Sequence, residues 1–124
     1  MIHLDTSALI AALSGSRSHI RILRQFVVDG ERLGVSSIVL FEWWRGPRTE
    51  TELDAQEALL PGRMASPFGV AEAALAADIY VRLRRPRRRE IDLAIAACAI
   101  IQRASLWTLN PRDFSDIPGL DLVP

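Results

Sequence analysis

An apolar triplet, "IHL", ends on Asp5 and passes without a turn residue into the apolar stretch "ALIAAL". A short buried strand over residues 2–4 followed at once by a helix accounts for both, with Thr6 or Ser7 near the helix start to satisfy its unpaired amides. In "HIRILRQFVV", Ile20, Leu23 and Val27, with Ile22 and Phe26, recur at helical spacing, which predicts a second helix ending near Gly30. "RLGVSS" then reads as a short strand, and Ser36 or Ser37 as the cap of a helix over "IVLFEWWRG" that Gly46-Pro47 stops. Thr49 stands three residues ahead of Glu52, the spacing of a capping box, so "TETELDAQEALLPG" predicts a helix ending at Pro61-Gly62.

Beyond it, "MASPFG" is a strand candidate, and the alanine-rich "VAEAALAADIYVRLRR" is apolar at i, i+3 and i+4, as a helix on a core should be. "EIDLAIAACAIIQRA" is apolar nearly all round, which suits a helix buried on most sides. "SLWTL" reads as a strand entering "NPRDF", and "LDLV" as a last edge strand. Strands separated by helical segments need crossover connections, so the expected fold is a single α/β domain over residues 1–124: a short, mainly parallel sheet flanked by helices on both faces. Ligands of such sheets bind beyond the carboxyl ends of the strands.

Composition narrows this picture in three ways. With 124 residues, 49% of them hydrophobic, the chain can bury a sizeable core in one domain. No basic region precedes the first apolar stretch and no apolar run nears a membrane span, so the expected setting is cytoplasmic and away from membranes. The single Cys98, inside "AIAACAII", reads as a small buried hydrophobe, and with His3 and His19 the only histidines there is no zinc constellation. Fifteen basic and fifteen acidic residues cancel, yet all the basic ones are arginine and six fall in "RLRRPRRR".

Among the acids, four follow a predicted strand or open a helix packed there in apolar surroundings: Asp5 after "MIHL", Glu42 between Phe41 and Trp43, Asp92 between Ile91 and Leu93, and Asp113 just past "SLWTL". Burying unpaired carboxylates together is costly, because desolvation and mutual repulsion both disfavour ionisation. A hard divalent cation offsets that cost, and the all-oxygen donor set points to Mg²⁺, with Mn²⁺ as the substitute. Acid-only sites with open water positions suit phosphodiester chemistry. The blander reading makes Asp5 and Asp92 helix caps or dipole partners, Glu42 a partner of Arg45, and "NPRD" a turn in which Asp116 competes with Asp113.

At these residues the sequence resembles a known family. "LDTSALI", "FEWWRG", "DLAIAACAI" and "WTLNPRDF" followed by "IPGLDLVP" are similar, in order and separation, to the successive motifs of PIN-domain ribonucleases, specifically the VapC-type toxins of bacterial toxin–antitoxin pairs. The resemblance runs from Met1 to Pro124. It implies Asp5, Glu42, Asp92 and Asp113 as an acidic quartet around Mg²⁺, with Asp5, Asp92 and Asp113 as metal ligands and Thr6, Ser7 and Asn110 as supporting polar residues. It also implies an endoribonuclease acting on RNA, a VapB-like antitoxin partner and a homodimer.

Two features lie outside that quartet. The arginines of 82–89 read either as a solvated, self-repelling face or as a phosphate-binding rim in which Arg87, Arg88 and Arg89, just before Asp92, meet the substrate. Phe41, Trp43 and Trp44 offer an apolar landing surface for a partner, although adjacent helix positions point about 100° apart, so one tryptophan of the pair can belong to the core. The rival functions are a PIN-like module that binds without cutting, a metal-dependent nuclease acting on DNA, and a phosphoacceptor fold using a strand-end aspartate. The last would want a lysine or a second aspartate beside Asp5, and the chain has no lysine.

Overall fold

Residues Ile2–Leu4 form the central strand, β1, all three of them buried. The computed structural model describes residues 1–15 and 17–124. β2 (Leu33–Gly34) and β3 (Ser105–Trp107) flank β1 in the order β2-β1-β3, both parallel to it. His3 pairs with Gly34 and Leu4 with Trp107 in register. The pairing explains the glycine: a Cβ at position 34 would stand 2.7 Å from His3 Cδ2, where no real side chain fits. His3 is buried, and desolvation, joined by the positive N-terminus, pushes its pKa down to about 4, which makes it a neutral core residue.

The helices fall close to the expected places: α1 (Thr6–Ile10), continued as a wider π turn over Ala11–Gly15, α2 (Arg17–Val28), α3 (Ser37–Arg45), α4 (Glu50–Leu59), α5 (Val70–Arg82) and α6 (Glu90–Ile101). Ser36 caps α3 by accepting from the Val39 amide at 3.2 Å. Thr49 and Glu52 form the reciprocal capping box of α4. Gly30, with φ +81°, takes the left-handed turn that closes α2.

Three expectations are corrected. "MASPFG" and "LDLV" do not become strands and make single parallel bridges instead, Ser36 to Ser66 and Leu106 to Leu122. Pro67 interrupts the first, having no amide to extend a ladder, and the second has little to pair with because β3 ends at Trp107. Neither Thr6 nor Ser7 caps α1. Asp5 occupies the cap position without a side-chain cap bond, and the hydroxyls turn instead to carboxylates, Thr6 to Glu42 and Ser7 to Asp5.

The core gathers Leu4, Leu9, Val39, Leu40, Trp43, Leu93, Ile95, Leu106 and Phe114 between the sheet and helices α1, α3 and α6. In α6 every residue from Leu93 to Ala99 is buried, as its all-round apolarity predicts. Cys98 lies among them, its thiol pushed up to about 11 chiefly by burial, a value at which no reactive thiolate forms. The two tryptophans separate: Trp43 is fully buried, whereas Trp44 is 52% exposed and donates from its indole to Gln56 Oε1 at 3.1 Å. Trp43 therefore drops out of the expected landing surface, which reduces to Phe41 and Trp44.

Candidate functional site

The carboxyl ends of β1 and β3 lie side by side, and the chain leaving each carries the residues of the site. Asp5 follows β1 directly and is only 6% exposed. Its Oδ2 accepts from two hydroxyls, Ser7 Oγ at 2.9 Å and Thr108 Oγ1 at 2.7 Å. A hydroxyl has one proton, so both protons are committed to Asp5 and the 3.3 Å Ser7–Thr108 contact carries none. The lone pairs of these hydroxyls are used as well: Ser7 Oγ accepts from the Leu109 amide and Thr108 Oγ1 from the Asn110 amide, each at 3.0 Å. The turn after β3 is thus laced to the start of α1 through Asp5. Among the described residues nothing donates to Asp5 Oδ1.

Glu42 comes from α3, which packs on α1. Thr6 Oγ1 donates to its Oε1 at 2.6 Å and Arg45 Nη2 to its Oε2 at 3.3 Å, so the carboxylate is aimed from both sides. The Arg45 pairing agrees with the bland reading, but Thr6, 36 positions away, ties Glu42 to the Asp5 turn. Asp92 sits in the first turn of α6, where the helix dipole favours negative charge. Its pKa is nevertheless pushed up from 3.8 to about 6, first by desolvation and then by the charges of Asp5, Asp113 and Glu42. Those three neighbours are the other members of the expected quartet, so all of them lie within electrostatic reach of Asp92.

Asp113 closes a short 3₁₀ turn, Pro111–Asp113, beyond β3. Its rival, Asp116, is spent elsewhere: Arg89 forks onto it with bonds of 2.6 and 2.9 Å and donates to the Asp113 carbonyl at 2.9 Å. Arg89 therefore staples the turn bearing Asp113 to the N-terminus of α6 bearing Asp92. It is not free to bind substrate as the sequence suggests. Arg87 and Arg88 are exposed in a tight turn, with the Arg89 amide bonded to the Pro86 carbonyl at 3.2 Å and Arg88 at φ 64°. Asn110 contributes its backbone, its carbonyl accepting from the Asp113 amide at 3.0 Å, and its side chain is exposed.

The sequence reading missed Thr108 and the Arg89–Asp116 clamp. Thr108 had a signal, a hydroxyl at the end of a buried strand beside the strand that delivers Asp5. The clamp had none, because its partners are 27 positions apart.

The chemistry of the donor set suits a hard divalent cation: four carboxylates within electrostatic reach, an oxygen of the buried Asp5 with no donor among the described residues, and burial joined by mutual repulsion that raises Asp92. Among the described residues no three acids close around one point tightly enough to hold a metal as the side chains stand.

Residues 2–120 match the PIN domain family, and the chain belongs to it. It is 31% identical over 119 residues to Ribonuclease VapC19 of Mycobacterium tuberculosis, covering 94% of each chain. Its fold is similar to VapBC of Salmonella typhimurium bound to DNA, with a TM-score of 0.77 and 25% identity over 98% of this chain and 96% of that one. It is similar also to VapBC2 of Rickettsia felis bound to a promoter DNA fragment, at a TM-score of 0.77 and 24% identity over 99% and 98% of the two chains.

Proposed function

We propose that this protein is an endoribonuclease of the VapC kind, which hydrolyses RNA phosphodiester bonds at the acidic site and is held in check by a VapB-like antitoxin. The observation that supports the reading is that Asp92, opening α6, lies within electrostatic reach of Asp5, Glu42 and Asp113, which together with burial raise its pKa. Kinship supports the substrate, through a relative named as a ribonuclease, and the partner, through solved structures that are toxin–antitoxin complexes. Asp5, Asp92 and Asp113 would hold Mg²⁺ or Mn²⁺, with Glu42 opposite. Bound there, the cation would supply an activated water and neutralise charge on the leaving oxygen.

The chain's own residues do the rest. Ser7 and Thr108 fix the Asp5 rotamer by donating to one oxygen, leaving the other for the ligand. Thr6 and Arg45 orient Glu42 so that it can take a proton from an attacking water. A homodimer in the cytoplasm, with the antitoxin landing on Phe41 and Trp44 beside Glu42, completes the proposal; both side chains are about half exposed. Incubating the purified chain with total RNA in Mg²⁺ and in EDTA, then mapping fragment ends, tests it. Discrete new ends in Mg²⁺ alone support the reading, and intact RNA in both refutes it.

A further inference from the structure

Beside the acidic site lies a cavity of about 600 Å³ lined by Arg84, Arg85, Arg89, Arg112, Asp113 and Asp116. It joins two segments the sequence keeps apart: the loop after α5 brings Arg84 and Arg85, and the turn after β3 brings Arg112. Its charges are not equivalent. Arg89 and Asp116 neutralise each other through the clamp, and Arg82, before the cavity, pairs with Asp78 at 3.2 Å. Among the described residues Arg84, Arg85 and Arg112 have no acidic partner within ion-pair distance, and all three line the cavity. Arg87 and Arg88 do not line it.

We infer that this cavity is a phosphate-binding subsite for a single-stranded nucleic acid, gripped by Arg84, Arg85 and Arg112 where the strand passes from Asp113. The inference rests on the nuclease reading for its substrate class, and it replaces the expectation that Arg87, Arg88 and Arg89 form the rim. Three physical facts support it. Guanidinium forks match phosphate oxygens two at a time. The cavity shares Asp113 with the acidic site, so a backbone crossing that site runs directly into it. The clamp also removes Asp116 as a competitor for the arginines, leaving net positive charge beside the negative quartet.

The test is fluorescence anisotropy of a labelled 12-nucleotide RNA in EDTA, where metal-dependent cutting is off, as a function of monovalent salt. Wild type is compared with Arg84→Gln/Arg85→Gln/Arg112→Gln and with Arg87→Gln/Arg88→Gln. Each phosphate contact removed should flatten the slope of log K against log salt by about 0.7. The triple variant should therefore lose about 2 from the slope and bind at least tenfold more weakly, while the double variant follows wild type. Absence of RNA binding by wild type, an unchanged slope in the triple variant, or an equal loss in the double variant overturns the inference. Cleavage by wild type in Mg²⁺ is scored separately: arginine-dependent binding without cleavage keeps the subsite and sinks the nuclease reading, and cleavage with arginine-independent binding does the reverse.

Discussion

Replacing Asp92 by Asn should make the metal-free protein more stable while destroying its chemistry. Burial and three neighbouring acids push the Asp92 pKa from 3.8 to about 6. A raised acid pKa means that the folded state favours the protonated form. The stability this proton adds is complete below pH 3.8, declines between 3.8 and about 6, and is gone above. Two pKa units correspond to about 3 kcal/mol, which solvent screening of a half-buried group reduces to about 1–2 kcal/mol. Asn carries no charge, so at pH 7.5 the variant should exceed wild type by that about 1–2 kcal/mol, roughly 4–10 °C in Tm for a domain of this size. At pH 4.5 only about a third of the difference should remain, because most of the wild-type group is then protonated. Urea unfolding of both proteins at the two pH values measures it. Adding Mg²⁺ at pH 7.5 should stabilise wild type and close the gap, since a ligand that binds only the folded state adds stability that grows with the logarithm of its concentration above Kd. A variant no more stable than wild type at pH 7.5, or a difference that ignores pH, would refute the view that these carboxylates repel one another across one site.

Three further outcomes follow from the same geometry. Thr108→Val should cost about 1–3 kcal/mol and most of the cleavage activity by stripping a charge-assisted bond from Asp5, whereas Thr108→Ser should keep both, read by thermal melts and RNA cleavage. Arg89→Gln should cost only about 0.2–1 kcal/mol of stability, its partner Asp116 being 51% exposed, yet weaken Mn²⁺ binding by calorimetry because Asp113 loses its staple to α6. Trp43→Ala should cost about 3–5 kcal/mol as a core truncation, while Trp44→Ala should spare most of the stability and lower affinity for a VapB-like partner, separated by denaturant unfolding and pull-down.

Three of the candidate acids stood out because each stands where an apolar run changes period: Asp5 after a strand triplet, Asp92 at the opening of an all-round apolar helix, Asp113 on the turn after "SLWTL". Local signals of that kind survive folding, and the capping box at Thr49 and the cap at Ser36 did so for the same reason. What stayed hidden depends on contacts between distant positions. Thr6 reads locally as a helix-starting hydroxyl, but its nearest acceptor is Glu42, 36 residues on. Arg89 reads as one of a basic run, and only the approach of Asp116 shows that its charge is spent. The last edge candidate, "LDLV", failed for a related reason, since whether an extended segment becomes a strand depends on the length of its neighbour, and β3 has three residues.

The most direct test compares wild type with Asp5→Asn on a single-stranded RNA, in Mg²⁺, in Mn²⁺ and in EDTA, with circular dichroism run on the same samples. Asn at position 5 can still accept from Ser7 and Thr108 but loses the negative charge that a cation needs. The expected result is cleavage by wild type in either metal and none in EDTA, with no cleavage by a fully folded Asp5→Asn protein under any condition. Undiminished cutting by that folded variant, or cutting by wild type in EDTA, would contradict the assignment of the acidic site as the seat of a metal-dependent ribonuclease.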